Sequence, residues 1–206
     1  MHGATMREYV SAKILYDELE KVDFIEYGNI DLPWKHYVTE CEKSRSLNPE
    51  YNISPFDGEV WQPGAKKMFS IVDTWKEWGY TEHNTRIWKT TNQKPKINFD
   101  WEKDISKYLP FSDCIVTPTM QEPGHTLPWH QDNFVLLKEK YPSGNILRFL
   151  IFMEDSATGH ALQIKDTWKT SWQAGDVIVW YPNAGHLSIN IGNKNKWTCN
   201  VTGVLK

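Results

Sequence analysis

His130 and Asp132 stand two residues apart, a second histidine, His186, follows at a distance, and Lys196 lies ten residues beyond it. Two imidazoles and one carboxylate can occupy one face of a divalent metal. A facial triad of this composition suits non-haem ferrous iron, with positions left open for small ligands and O2. Hydrolytic zinc can use the same donors, but no His-Glu-x-x-His helix accompanies them. Lys196 could supply the cation that an anionic ligand needs, because an ammonium turned inward is costly unless it is paired.

The tripeptide alone decides nothing. Seven His and twelve Asp in 206 residues give a His-x-Asp by chance about 0.4 times per chain, so the context must carry the reading. An extended segment puts His130 and Asp132 on one face. His186 opens a different segment, directly after a tight turn at residues 182–185. The three donors converge only if the sheet closes on itself. His36, His83, His125 and His160 compete, and each reads as a surface or structural residue. Lys194 competes with Lys196, which sits more securely inside its segment after the turn at Gly192. Arg148 is a second candidate anion binder, or else the partner of a carboxylate within the fold.

Two halves of the chain must position these groups. Residues 7–110 are mainly helical in pattern. Helical spacing of apolar residues runs over 9–22 and again over 64–79, where Gly79 is a stop. A helix opens near residue 33 with Asp31 as its N-cap and Pro33 in its first turn, and a short one spans 100–109. From residue 111 short alternating segments separated by turns read as strands: 114–121, 146–153, 161–164, 176–181, 186–191 and 196–205. Such a series implies a sandwich or jelly roll. His186, Ser188 and Asn190 share one face of their strand; Lys196, Thr198 and Asn200 share one face of the next. These polar faces either line a site or simply meet water. The organisation expected is one domain over 1–206, an α+β fold with a mainly β core. Residues 1–110 give N-terminal packing helices and a substrate-side region, and 111–206 the catalytic core.

Composition narrows the class. The chain is 40% hydrophobic and 24% charged, as in soluble globular proteins. A net charge of -3 argues against nucleic acid as a partner. Three scattered cysteines make no disulfide framework, and no apolar stretch has membrane length. A reducing, cytoplasmic location is the expectation. Eleven tryptophans read first as core and helix-docking residues, and second as a substrate surface.

Residues 121–205 resemble the catalytic core of the iron(II)/2-oxoglutarate dioxygenases, most closely the prolyl-hydroxylase branch. The likeness rests on four ordered motifs: 122–132 (Glu-Pro-Gly, then Pro-Trp-His-Gln-Asp), 148–155, 174–180 with its Gly-Asp, and His186 followed by Lys196-Trp197. Gln121 departs from it, standing where that branch commonly has a tyrosine, as does Gly159-His160-Ala161. The resemblance implies a double-stranded β-helix (jelly roll, cupin-like). It implies Fe(II) on His130, Asp132 and His186, with 2-oxoglutarate and O2 as cosubstrates. Lys196 would pair with the distal carboxylate of 2-oxoglutarate and Thr198 would add a hydrogen bond. Gln121 or Thr119 would contact the keto-acid end, and Arg148 is the alternative anion binder. The reaction implied is hydroxylation of a C–H bond in a peptidyl residue, amino acid or small metabolite, with succinate and CO2 as coproducts. Two other classes compete: a cupin-type metalloenzyme that does not use 2-oxoglutarate, and a non-catalytic binding module.

Overall fold

Strands β5 (Phe111–Gln121) and β12 (Lys196–Leu205) form the longest ladder of the molecule, running from Lys196 opposite Gln121 to Leu205 opposite Phe111. This computed structural model describes residues 5–6, 12–60, 69–90 and 97–206. On the other side of β12 lies β7 (Ile146–Phe152), then β10 (Asp176–Val179), β2 (Ile25–Asn29) and β1 (Thr5–Met6). On the other side of β5 lie β4 (Ile87–Lys89) and β3 (Asn52–Ile53), completing an antiparallel eight-stranded sheet. A four-stranded antiparallel sheet faces it, ordered β6 (His125–His130), β11 (His186–Asn190), β8 (His160–Ile164), β9 (Thr167–Lys169). The fold is a cupin-type jelly roll with added helices.

The large sheet is covered on both faces, which explains why β7 is a continuous apolar run apart from Arg148. Leu147, Phe149 and Ile151 pack outward with Val177, Val179, Trp197, Cys199 and Val201. That face is covered by α1 (Ala12–Leu19) through Leu15 and Leu19, and by α2 (Trp34–Leu47) through Trp34, Tyr37, Val38 and Cys41. Leu150 and Phe152 point the other way, between the sheets, against Leu162, Ile164, Trp172, Ile178 and Trp180. Each such side chain contributes about 1.5–3 kcal/mol by leaving water. Among the described residues seven tryptophans, Trp34, Trp75, Trp88, Trp101, Trp172, Trp180 and Trp197, are buried, in keeping with a core role.

Several local expectations need correction. Among the described residues the N-terminal part supplies four strands as well as helices. Residues 25–29, 52–53 and 87–89 are short and carry no clear period; they form by pairing with strands distant in sequence, 25–29 with β10 and 87–89 with β5, while 52–53 adds to 87–89. Asp31 does not cap α2; Pro33 holds that position without a side-chain cap hydrogen bond. The third helix, α3, is Phe69–Glu77, and residues 64–68 of its expected span lie outside the described residues. Gly79 does stop it, at φ +84 with its N–H on Lys76 O. The fourth, α4, is only Glu102–Ser106. A fifth helix, α5 (Val135–Lys140), occupies a segment to which the sequence reading assigned no element. Among the described residues no helix is long and apolar enough to cross a membrane.

Candidate metal centre

His130 is the last residue of β6 and His186 the first of β11. The two strands are antiparallel neighbours, and the register sets His186 directly opposite His130, with ring centroids 4.2 Å apart. The turn before His186 is close-packed. A Cβ on Gly185 would overlap the Trp129 indole, so only glycine allows β11 to start this near to β6. Each imidazole is fixed by the carbonyl two residues behind it: His130 Nδ1 lies 2.8 Å from Pro128 O and His186 Nδ1 lies 3.0 Å from Ala184 O. A carbonyl only accepts, so each Nδ1 carries the proton and each Nε2 keeps its lone pair. Metal-binding histidines are commonly oriented in this way.

Asp132 lies just past the end of β6, so its position is not the simple same-face consequence of an extended strand. The chain turns at once through Phe134, which adopts a left-handed conformation (φ 50) that an L side chain occupies at a cost. The Phe134 ring then lies 5.2 Å from the Arg148 guanidinium. Arg148 Nη1 donates to Asp132 Oδ1 at 2.6 Å, and its Nε donates to Thr202 Oγ1 at 3.0 Å. Arg148 is therefore the partner of a carboxylate within the fold, the second of its two sequence readings. Asp132 Oδ2 is buried with no hydrogen-bond partner and sits 3.7 Å from His186 Nε2. One donor atom from each of His130, Asp132 and His186 lies within 4.8 Å of the others.

Electrostatics leaves these donors unprotonated. Burial, aided by His130, pushes His186 down to about 3. Burial also lowers His130. For Asp132 burial acts upward, but Arg148 and the two imidazoles more than offset it, and the carboxyl lies below its usual range. Two neutral imidazoles and an ionised carboxylate with an orphaned buried oxygen fit a divalent cation: an unsatisfied buried acceptor is costly, and a metal bond would satisfy it.

Lys196 lies in the same chamber. Ser188 is two residues beyond His186 on the same face of β11, and its Oγ accepts from Lys196 Nζ at 2.8 Å. Two strand residues place that contact about 7 Å from the histidine along β11. The other acceptors are Ala161 O at 2.6 Å and Ile189 O at 3.1 Å. All three are neutral. The side chain is only 3% exposed, and burial pulls the ammonium down to about 7. Lys194, its competitor, is exposed.

Gln121 pairs with Lys196 across the ladder. It accepts from Ser188 Oγ at 2.6 Å and donates to Ser188 O at 3.1 Å. It shares Ser188 Oγ with the Lys196 ammonium. Thr119 and Thr198 face each other one step further along, their hydroxyls 2.8 Å apart. The polar faces of β11 and β12 thus turn inward, with His186, Asn190, Lys196 and Thr198 buried and Ser188 and Asn200 partly so. His160 is tied into the fold by Lys194 O and Ala157 N. His36 and His83 are exposed beside Glu40 and Glu82. His125 is half-buried at the far end of β6, and none of these four histidines belongs to the cluster. Ser188 was noted in the sequence only for its parity with His186, the signal that could have found it. Lys89, on β4, faces the same chamber and had no such signal.

No protein-family model matches the chain, and no curated protein matches it. Its fold is similar to solved structures at low identity. A prolyl-4-hydroxylase from Pseudomonas putida superposes with a TM-score of 0.55 at 12% identity, over 94% of this chain and 98% of that one. A predicted oxalate decarboxylase from Thermotoga maritima matches at a TM-score of 0.36 and 12% identity, over 58% of this chain and 82% of its own. A cupin 2 conserved barrel domain protein from Salinispora arenicola matches at 0.34 and 15%, over 58% and 76%. At such identities the likeness speaks for the fold. The chemistry rests on the residues.

Proposed function

We propose that this chain is an Fe(II)/2-oxoglutarate-dependent oxygenase that hydroxylates a C–H bond of a small molecule or peptidyl residue. The observation that carries the reading is Lys196. A buried ammonium held by three neutral acceptors calls for an anion, and it lies about two strand residues from the His186 donor. A five-carbon dicarboxylate that chelates a metal at one end suits that separation. The prolyl-4-hydroxylase likeness supports the fold this needs.

His130, Asp132 and His186 would hold the iron. Bound iron and 2-oxoglutarate together supply O2 activation, with succinate and CO2 as the products of the cosubstrate. The protein supplies position and charge. Pro128 O and Ala184 O fix the imidazoles, and Arg148 fixes the carboxylate and leaves one oxygen for the metal. Lys196 pairs with the distal carboxylate, backed by Ser188 and Gln121, and Thr198 and Thr119 line the wall between the two ends. Trp180, with its ring centroid 4.9 Å from that of His186, helps to keep water from the metal side.

The test is release of CO2 from 2-oxoglutarate labelled at C1, with and without iron(II). Iron-dependent release that disappears in His186→Ala supports the reading. Iron-loaded protein that releases none refutes it and favours a metalloenzyme that does not use 2-oxoglutarate.

A further inference from the structure

Lys196 stands at a corner of the fold. β11 ends at Asn190 in the small sheet, β12 begins at Lys196 in the large one, and residues 191–195 cross between them outside both ladders. An ammonium on a four-carbon stem has wide rotamer freedom, and the end of a strand frays unless something holds it. The placement of this charge therefore depends on what fixes the backbone on either side of it.

On the chamber side two buried residues meet at one carbonyl. His160 and Asn190 are directly paired across β8 and β11. Asn190 Nδ2 donates to Lys194 O at 2.9 Å and to Gln121 O at 2.8 Å, and its Oδ1 accepts from Gly192 N at 3.1 Å. One carboxamide thus holds both the crossing segment and the end of β5, whose last residue, Gln121, faces Lys196 in the ladder. His160 Nε2 donates to the same Lys194 O at 3.2 Å, and its Nδ1 accepts from Ala157 N at 3.2 Å. A single neutral tautomer, protonated at Nε2, satisfies both contacts. The imidazole lies nearly parallel to Trp172, with ring centroids 6.2 Å apart, and the Lys196 ammonium stands 5.7 Å from the centre of that indole. The loop before His160 and the crossing segment touch backbone to backbone: Ile191 N donates to Gly159 O at 3.0 Å, and a Cβ on Gly159 would overlap Gly192.

On the other side of the sheet α2 supplies Glu42. Its Oε1 accepts from Asn195 Nδ2 at 2.8 Å and from Trp197 Nε1 at 2.9 Å, the two chain neighbours of Lys196. Alternation along β12 sends Trp197 outward and Lys196 inward. The acceptors of the ammonium itself are other groups, Ala161 O, Ser188 Oγ and Ile189 O. His160, Asn190 and Glu42 converge instead on the residues beside it.

Resting on the function proposed above, we infer that His160, Asn190 and Glu42 are positioning residues for the cosubstrate cation: they pin the chain on both sides of Lys196, so that its ammonium is already in place for the distal carboxylate of 2-oxoglutarate. A charge held in place binds more tightly than one that must first be ordered. Loosening this clamp weakens the distal-carboxylate contact and leaves chelation at the metal intact.

The test is titration of the full-length iron(II) protein, without O2, with 2-oxoglutarate and with 2-oxopentanoate, which has the same five carbons and keto-acid end but no distal carboxylate. The charge-transfer band reports both. His160→Ala should raise Kd for 2-oxoglutarate by roughly tenfold, the worth of about one hydrogen bond, and leave Kd for 2-oxopentanoate within about twofold. His160→Gln, whose carboxamide can carry an N–H to Lys194 O, should recover most of the loss. His160→Asn, which reaches only the place of Nδ1 and serves Ala157 N, should not. In the Lys196→Met background His160→Ala should add nothing further, because residues that act through one contact are not additive. Glu42→Ala, at a partly exposed helix position, should give the same selective loss and carries the test where a His160 variant does not fold. Equal loss with both keto acids, full recovery by His160→Asn, additivity with Lys196→Met, or unchanged 2-oxoglutarate affinity in both His160→Ala and Glu42→Ala would each overturn the inference, while 2-oxoglutarate binding by the unaltered protein keeps the functional reading. An unaltered protein that gives no band with 2-oxoglutarate would remove the functional reading and this inference with it.

Discussion

Lys196→Met separates cosubstrate binding from folding, and the two effects should run in opposite directions. In the unliganded fold the Lys196 ammonium is 3% exposed and is held at about 7 instead of 10.5, by burial. The group binds its proton less tightly in the folded chain than in the unfolded one, so its charge opposes folding. The cost is complete below about pH 7 and fades as pH rises towards 10.5. At 1.36 kcal/mol per unit it amounts to about 4 kcal/mol near neutral pH. Methionine removes that cost but leaves Ser188 Oγ, Ala161 O and Ile189 O without their donor, at about 1–3 kcal/mol in total if they find partial compensation. The unliganded variant should therefore be at least as stable as the parent at pH 7. Its rise in Tm between pH 7 and 10 should be shallower, since one of the protons released on folding is gone. Binding of 2-oxoglutarate should fall steeply. Loss of one partner from a desolvated charge pair costs about 2–5 kcal/mol, so Kd should rise by about 30-fold or more. The assays are urea unfolding across pH without ligand, and 2-oxoglutarate titration of the iron(II) form without O2. A variant that binds 2-oxoglutarate normally, or one that is destabilised at pH 7 and unchanged in its pH slope, would refute the reasoning.

Other expectations follow from the same geometry. Arg148→Met leaves Asp132 a buried charge without its partner, which should cost about 3–5 kcal/mol in the metal-free protein; urea unfolding measures it, and saturating metal should restore part of the loss. Asp132→Ala should abolish stabilisation by divalent metal. At a hundredfold excess over Kd the parent gains about 2.7 kcal/mol, visible as a Tm shift with cobalt(II) as an air-stable probe, and the variant should show none. Gly185→Ala should destabilise by more than about 1 kcal/mol and weaken metal binding, because the methyl group forces Trp129 and the start of β11 apart; a Tm and a metal Kd equal to the parent's would contradict this.

The long strands were legible because their alternation is regular. Segments 186–191 and 196–205 each showed one polar and one apolar face, and the structure turns the polar faces inward. What alternation could not reveal was whether those faces met water or a chamber. That depends on the second sheet, which is built from β6, β8, β9 and β11. The edge strand β6 carries Pro128, tolerable at an edge where no ladder N–H is needed, and was read as extended chain only. The short strands β2, β3 and β4 exist because strands distant in sequence offer them hydrogen bonds, a tertiary cause absent from local sequence. This is why Lys89 was invisible. A three-residue strand has no period, and the orientation of its lysine is fixed by Trp88 and Met120 on the opposite face. Asp132 was found by its spacing, but its placement relies on the left-handed turn at Phe134 and on Arg148, neither of which the spacing discloses. The reach of Arg148 is likewise a matter of folding: the sequence offered it either an anionic ligand or a carboxylate of the fold, and Asp132 takes it.

The proposed function requires that His130, Asp132 and His186 share one iron and that a 2-oxoglutarate molecule spans from it to Lys196. Titration of the protein with iron(II) and then 2-oxoglutarate, with O2 excluded, reads this directly in the visible spectrum. The expected result is a metal-to-ligand charge-transfer band that saturates at one 2-oxoglutarate per chain, is absent in His186→Ala, and needs far more 2-oxoglutarate in Lys196→Met. Iron that binds at the triad with no such band at any 2-oxoglutarate concentration would contradict it.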